Sequence, residues 1–131
     1  MKNSNQLQAQ LVAQMWNTLD PSQIIDWVTE DVSYDSQFTL LSIDGKSHFQ
    51  SHIVNKIQTI QESVDANKLT VDAYLVQLDK SDDEYFVYLT LQDNGKIYES
   101  LIKVFVNDYL ISRIFISSIH PKHTLKFIEA A

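Results

Sequence analysis

LTVDAYLVQLDKSDDEYFVYLTLQDNGKIYESLIKVFVNDYLISRIFISSI, residues 69–119, decides the fold. Its runs Leu69–Asp79, Glu84–Gln92, Lys96–Val106 and Tyr109–Ile119 are rich in Val, Ile, Leu, Phe and Tyr, which suit a pleated, half-buried surface. Between them lie Lys80-Ser81-Asp82-Asp83, Asp93-Asn94-Gly95 and Asn107-Asp108. Asn-Gly between two such runs marks a tight hairpin, because both turn residues must accept positive φ. The stretch therefore reads as an antiparallel meander of four strands.

Two-residue loops at Asn94-Gly95 and Asn107-Asp108 would pair Asp93 with Lys96 and Val106 with Tyr109. Side chains alternate across a strand, so the faces can be sorted. One face takes Leu89, Leu91, Tyr98, Ser100, Ile111, Arg113 and Phe115. The other keeps Phe86, Leu101, Phe105, Ile114 and Ile116, too apolar for a solvated outer face. A homodimer packed sheet to sheet through these five residues is the expectation. The alternative is that the C-terminal tail folds back over them with Leu125 and Phe127. The register of the first strand is open, since a one-residue slip across Lys80–Asp83 swaps its faces.

Upstream, the pattern is helical. Leu7, Leu11, Val12, Met15, Trp16 and Leu19 recur at helical spacing opposite Gln8, Gln10, Gln14 and Asn17. Asp20-Pro21 supplies a cap and a first-turn proline for a short second helix through Ile24, Ile25 and Val28. Val32–Phe38 alternates like a strand, and Asp44-Gly45 is a turn. Ser47 caps a third helix whose stripe is Phe49, Ile53, Ile57, Ile60 and Val64. In the tail, Thr124–Glu129 reads as a helical turn. Helices followed by a meander give an α+β class, with helices on one face of a curved sheet.

At 131 residues the chain suits a single domain, 1–131. Its net charge of −7 repels phosphate backbones, so no nucleic-acid partner is expected. No apolar run approaches the roughly 20 residues of a membrane span, and no secretory leader is legible, so no membrane partner is expected and the cytoplasm is the expected location. There is no cysteine, which removes thiolate chemistry.

Candidate site residues are few. Arg113, between Ile111 and Phe115, needs an acidic partner, for which Asp35 or Asp72 would serve; it reads either as an anion anchor or as a structural ion pair. Asp35 would act as a general base if an apolar pocket raised its pKa, although alternation alone places it on solvent. His48 and His52 share a helical stripe but lack the zincin glutamate and a third ligand, so no metal is expected. Trp16, Tyr34, His52, Tyr74, Tyr98 and Arg113 are the expected pocket residues, and no cofactor motif is present.

Leu11–Asn17, Leu19-Asp20-Pro21 leading to Ile25 and Trp27, Glu30-Asp31-Val32-Ser33-Tyr34, and Asp44-Gly45-Lys46 before Phe49 and Ile53 occur in an order that resembles the nuclear transport factor 2-like superfamily, in particular its SnoaL-like branch. The resemblance spans roughly residues 6–119. It implies a cone-shaped, cystatin-like α+β fold in which a curved sheet wraps a long helix around a pocket, and frequent dimerisation through the sheet. The family's catalytic residues mostly do not carry over. The ketosteroid isomerase tyrosine falls near Val12 and its base at Ser36, one position from Asp35. The epoxide hydrolase Arg-x-Asp pattern is absent, because Ile114 and Phe115 follow Arg113. The dehydratase set finds only Tyr34, His52 and Asp35. The resulting expectation is a pocket for a small apolar molecule, acting as an isomerase, cyclase or dehydratase with Asp35 as base and Tyr98 or Arg113 as oxyanion donor. A non-catalytic binding or dimerisation module is the alternative.

Overall fold

A computed structural model describes residues 4–38, 41–78, 84–119 and 125–128. In chain order these form α1 (Gln6–Thr18), α2 (Ser22–Ile25), β1 (Val28–Ser36), β2 (Leu41–Asp44), α3 (Lys46–Asp65), β3 (Leu69–Leu78), β4 (Tyr85–Asp93), β5 (Lys96–Asn107), β6 (Leu110–Ser117) and β7 (Leu125–Phe127). Among the described residues the strands make one sheet, ordered β2-β1-β6-β5-β4-β3-β7. Only β1 and β6 run parallel; the other neighbours are antiparallel.

One face of the sheet carries the helices. α1 contributes Ala9, Val12, Ala13, Met15 and Trp16 to the core, and α3 contributes Phe49, Ile53 and Ile57. They meet Val87, Leu89, Ile102, Val104, Ile111, Ile114 and Ile116 from the meander, together with Val32 and Tyr34 from β1. Two asparagines tie α1 to the sheet. The Asn17 amide donates to Ala73 O and accepts from Ala73 N–H, both at 2.8 Å. Asn5 accepts from Tyr85 N–H and donates to Tyr85 O and Val104 O at 2.8–2.9 Å. Backbone groups of Ala73, Tyr85 and Val104 thereby find partners on α1 and at its N-terminal end.

The Asn94-Gly95 hairpin is as expected, with φ of 49° and 82° and Asp93 paired to Lys96. The next one differs. Its turn residues are Asp108 and Tyr109, with φ of 51° and 65°, and Asn107 pairs with Leu110. Val106 then pairs with Ile111, but Phe105 pairs with Arg113, so Ser112 is the extra residue of a β-bulge. The bulge turns over every side chain that follows it. Ile114 and Ile116 enter the core, whereas Arg113, Phe115 and Ser117 lie outside, opposite Phe105, Lys103 and Leu101.

Three further expectations are corrected. Val28 begins β1 rather than belonging to the second helix, and β2 is an additional strand paired to β1. α3 is capped at Gly45, with φ of 95°, rather than at Ser47. Leu125–Phe127 forms β7 along β3 instead of a helical turn. β7 covers part of the outer face: Leu125, Leu78, Tyr88 and Ile119 pack on buried Val76, Phe86 and Leu101. Of the five residues expected at a dimer interface, Ile114 and Ile116 therefore face inward, and Phe86 and Leu101 are already covered. Lys80–Asp83, His120, His123, Thr124 and Glu129 fall outside the described residues.

Candidate functional site

Between the end of α1, the middle of α3 and the β4–β5 hairpin, the core gives way to a cavity of about 560 Å³. Trp16 closes it from the end of α1, and Leu89, Leu91, Ser100 and Ile116 form its sheet wall. Ser36 and Phe38 border it at the end of β1, and Lys56 enters from the middle of α3. Ile97, Tyr98 and Glu99 complete the lining. Phe38, Ile97 and Tyr98 are 55%, 59% and 54% exposed, an apolar lip of the kind that ligand-binding mouths present. The volume lies within the roughly 300–1,000 Å³ of small-molecule sites, and a mostly apolar lining with a few polar groups matches them as well.

Of the residues expected in the pocket, Trp16 and Tyr98 line this cavity. Tyr34 and His52 lie beneath it, one residue pair back along β1 from Ser36 and one turn back along α3 from Lys56. Their rings pack at 5.0 Å, and among the described residues neither the Tyr34 hydroxyl nor His52 Nε2 has a hydrogen-bond partner. Burial pushes the Tyr34 hydroxyl far above its ordinary pKa, and burial followed by the nearby Lys56 charge holds His52 below its own. Tyr74 stands on the opposite face, stacked on Tyr88 at 6.0 Å with Phe127 edge-on at 5.5 Å.

Asp35 and Arg113 come together, but outside. Arg113 Nε donates to Asp35 Oδ2 at 2.9 Å, and the Ser42 hydroxyl donates to Asp35 Oδ1 at 2.7 Å. The guanidinium also lies 5.3 Å from the ring centroids of both Phe105 and Phe115. The Ser42 hydrogen bond first, then Arg113, hold the Asp35 carboxyl below its ordinary value despite an opposing effect of burial. A general base needs the reverse shift. The pair fastens β6, β1 and β2 across the outer face, and neither residue reaches the cavity.

Lys56 is the charged α3 residue of the cavity that sequence reasoning passed over, together with Phe38, Ile97 and Glu99. It lies three residues after Ile53 and four before Ile60, on the edge of the α3 apolar stripe, and that spacing was the available signal. It is half-buried, and burial holds its ammonium below the usual lysine value. Among the described residues no carboxylate forms an ion pair with it. Glu99, also in the lining, interacts with the Tyr88 hydroxyl. Among the described residues no group of three His, Asp or Glu gathers to hold a metal.

No protein-family model matches the chain, and no curated protein matches it. Solved structures do. An uncharacterised cystatin-fold protein from Novosphingobium aromaticivorans superposes with a TM-score of 0.63 at 10% identity, covering 88% of this chain and 99% of that one. A proposed polyketide cyclase from Pseudomonas putida gives 0.59 at 12% identity, covering 90% and 93%. A nuclear transport factor 2-like protein of unknown function from Burkholderia xenovorans gives 0.56 at 12%, covering 97% and 85%. At these identities the likeness is one of fold. The chain carries an α+β, cystatin-like fold, the one these cystatin-fold and nuclear transport factor 2-like structures share. Among the described residues no helix is long and apolar enough to cross a membrane.

Proposed function

We propose that this chain is a SnoaL-like small-molecule binding protein whose working site is the cavity between α3 and the sheet, and that Asp35 takes no part in chemistry there. The observation that carries this reading is the separation of the two. The cavity is walled by Trp16, Leu89, Leu91 and Ile116, while Asp35 is paired to Arg113 on the opposite face. Ser36, where the resemblance puts the isomerase base, does border the cavity, but an ordinary serine hydroxyl is far too weak a base to replace a carboxylate. A second reading, catalysis as an isomerase, cyclase or dehydratase, draws support from the fold shared with the proposed polyketide cyclase and would rest on Lys56 and Tyr98.

Trp16 makes the binding reading measurable. A neutral naphthalene probe, 2-naphthamide, should quench the Trp16 emission saturably, and Ser100→Phe, which fills the cavity wall, should weaken binding at least tenfold by calorimetry without lowering the melting temperature. Equal affinity in Ser100→Phe would place the ligand elsewhere.

The same reading includes a homodimer in the cytoplasm. Support for the dimer is the remaining outer aromatic surface, Phe105 and Phe115 beside Arg113, with Tyr74 and Phe127 exposed further along. Light scattering on the purified chain should give twice its mass; the mass of one chain would remove the dimer and leave the cavity reading intact.

A further inference from the structure

We infer that the ligand of this cavity carries a carboxylate head, held by the Lys56 ammonium, on an apolar body that lies against Trp16, Leu89 and Leu91. This rests on the cavity reading above and adds the chemical class of the ligand.

The argument starts from charge. The chain holds 17 acidic and 10 basic residues, so a lysine has many carboxylates to choose from. Lys103 takes Glu84 at 3.1 Å, and Arg113 takes Asp35 at 2.9 Å. Lys56, though half-buried beside apolar walls, takes none among the described residues. Withdrawing an ammonium from water without a counter-charge is unfavourable, and an anion entering the cavity reverses that cost.

The surroundings favour an anion of single charge. His52, one turn below, is held toward its neutral form by burial and by Lys56 itself, so it adds no second cation. Glu99 is the acidic residue in the lining, and its charge lies near enough to Tyr88 to help raise that phenol's pKa. Hydrogen-bond donors are available as well. Ser36 and Ser100 line the cavity, and among the described residues neither hydroxyl is committed to another group. One ammonium with nearby hydroxyls suits a carboxylate; a phosphate dianion calls for more positive charge, and among the described residues Lys56 is the only cation in the lining. Most of the remaining wall, Trp16, Leu89, Leu91, Ile97 and Ile116, is apolar, which suits an apolar body.

A matched pair of probes tests this: 2-naphthoate and 2-naphthamide, which share a ring system and differ in charge. Calorimetry at neutral pH should show 2-naphthoate binding the wild type about 10- to 100-fold more tightly than the amide, the range expected of one charge-assisted contact. Lys56→Met keeps an unbranched side chain, one atom shorter, without its charge. It should erase the preference while leaving the amide's affinity within about twofold. Lys103→Met removes a cation from the outer face and should leave the preference intact, which separates a local contact from the overall field. If both probes bind the wild type equally, or if the preference survives in Lys56→Met, the carboxylate inference is overturned while the cavity reading stands. If neither probe binds the wild type, the cavity reading falls and the inference with it.

Discussion

Ile114 and Phe115 are neighbours on β6 and face opposite sides of one sheet. Ile114 is buried among the helices, in a core that also takes Val104 and Ile116. Phe115 lies outside, beneath the Arg113 guanidinium and close to the Asp35 pair. Both faces are rich in large apolar side chains, so composition does not tell them apart. What separates them is cover: among the described residues α1 and α3 pack on the inner face, and on the outer face β7 adds cover over Phe86 and Leu101. Polar groups are treated differently as well. Outside, Lys103 and Arg113 meet carboxylates; inside, among the described residues, Lys56 has no ion-pair partner and the Tyr34 hydroxyl and His52 Nε2 have no hydrogen-bond partner. A sheet can thus keep a structural ion pair and a binding surface on opposite sides of the same backbone.

The harshest way to break this contrast is to put the same charge on each side. Ile114→Arg forces an unpaired guanidinium into the core and should cost more than about 4 kcal/mol, enough to unfold a marginally stable domain. Phe115→Arg, one residue on, should cost less than about 2 kcal/mol. Urea denaturation of both variants decides the matter. Similar losses in the two would mean that β6 is not divided between faces in this way.

The bulge itself offers a gentler test. Without Ser112, the order Ile111, Arg113, Ile114, Phe115, Ile116 alternates in and out with no irregularity, and Val106, Phe105 and Val104 already oppose Ile111, Arg113 and Ile114 in step. Deleting Ser112 should therefore keep every later side chain on its present face and cost no more than about 2 kcal/mol. A loss as severe as that of Ile114→Arg would show that the bulge is needed for the path of β6 against β1 rather than merely accommodated.

That bulge also marks the limit of what the sequence discloses. The meander, its Asn94-Gly95 turn and the inner faces of β4 and β5 are legible, because alternation and turn chemistry are local. The position of Ser112 is not: Ile111, Ile114 and Ile116 fit the core only if one residue is skipped, and simple alternation cannot show where. A single misplaced residue was enough to put Arg113 inside and Ile114 and Ile116 outside. β2 and β7 were missed for a related reason. Leu41–Asp44 and Leu125–Phe127 are too short to display a period, and they are strands because β1 and β3 offer free edges. For the cavity, Trp16 and Tyr98 were legible as aromatics on inward faces. Lys56 was not singled out, because a lysine at the margin of an apolar stripe looks like an ordinary helix boundary until the sheet opposite recedes from it.

The smallest effect belongs to the outer pair, and its sign can be worked out. Ser42 and Arg113 depress the Asp35 pKa in the folded chain, so folding favours the ionised carboxylate. The stabilisation is complete above the unfolded value of about 3.9 and is lost as pH falls through the lower folded value. Because the Arg113 side chain is 44% exposed, screening by water keeps the gain below about 1 kcal/mol. Asp35→Asn should therefore melt slightly below the wild type at pH 7, and the gap should narrow as pH falls below about 4. Ligand binding in the cavity should not change, because the pair does not reach it. A gap that widened toward acid would reverse the sign of the linkage, and a loss of 2-naphthamide binding in Asp35→Asn would couple the two faces that the structure keeps apart.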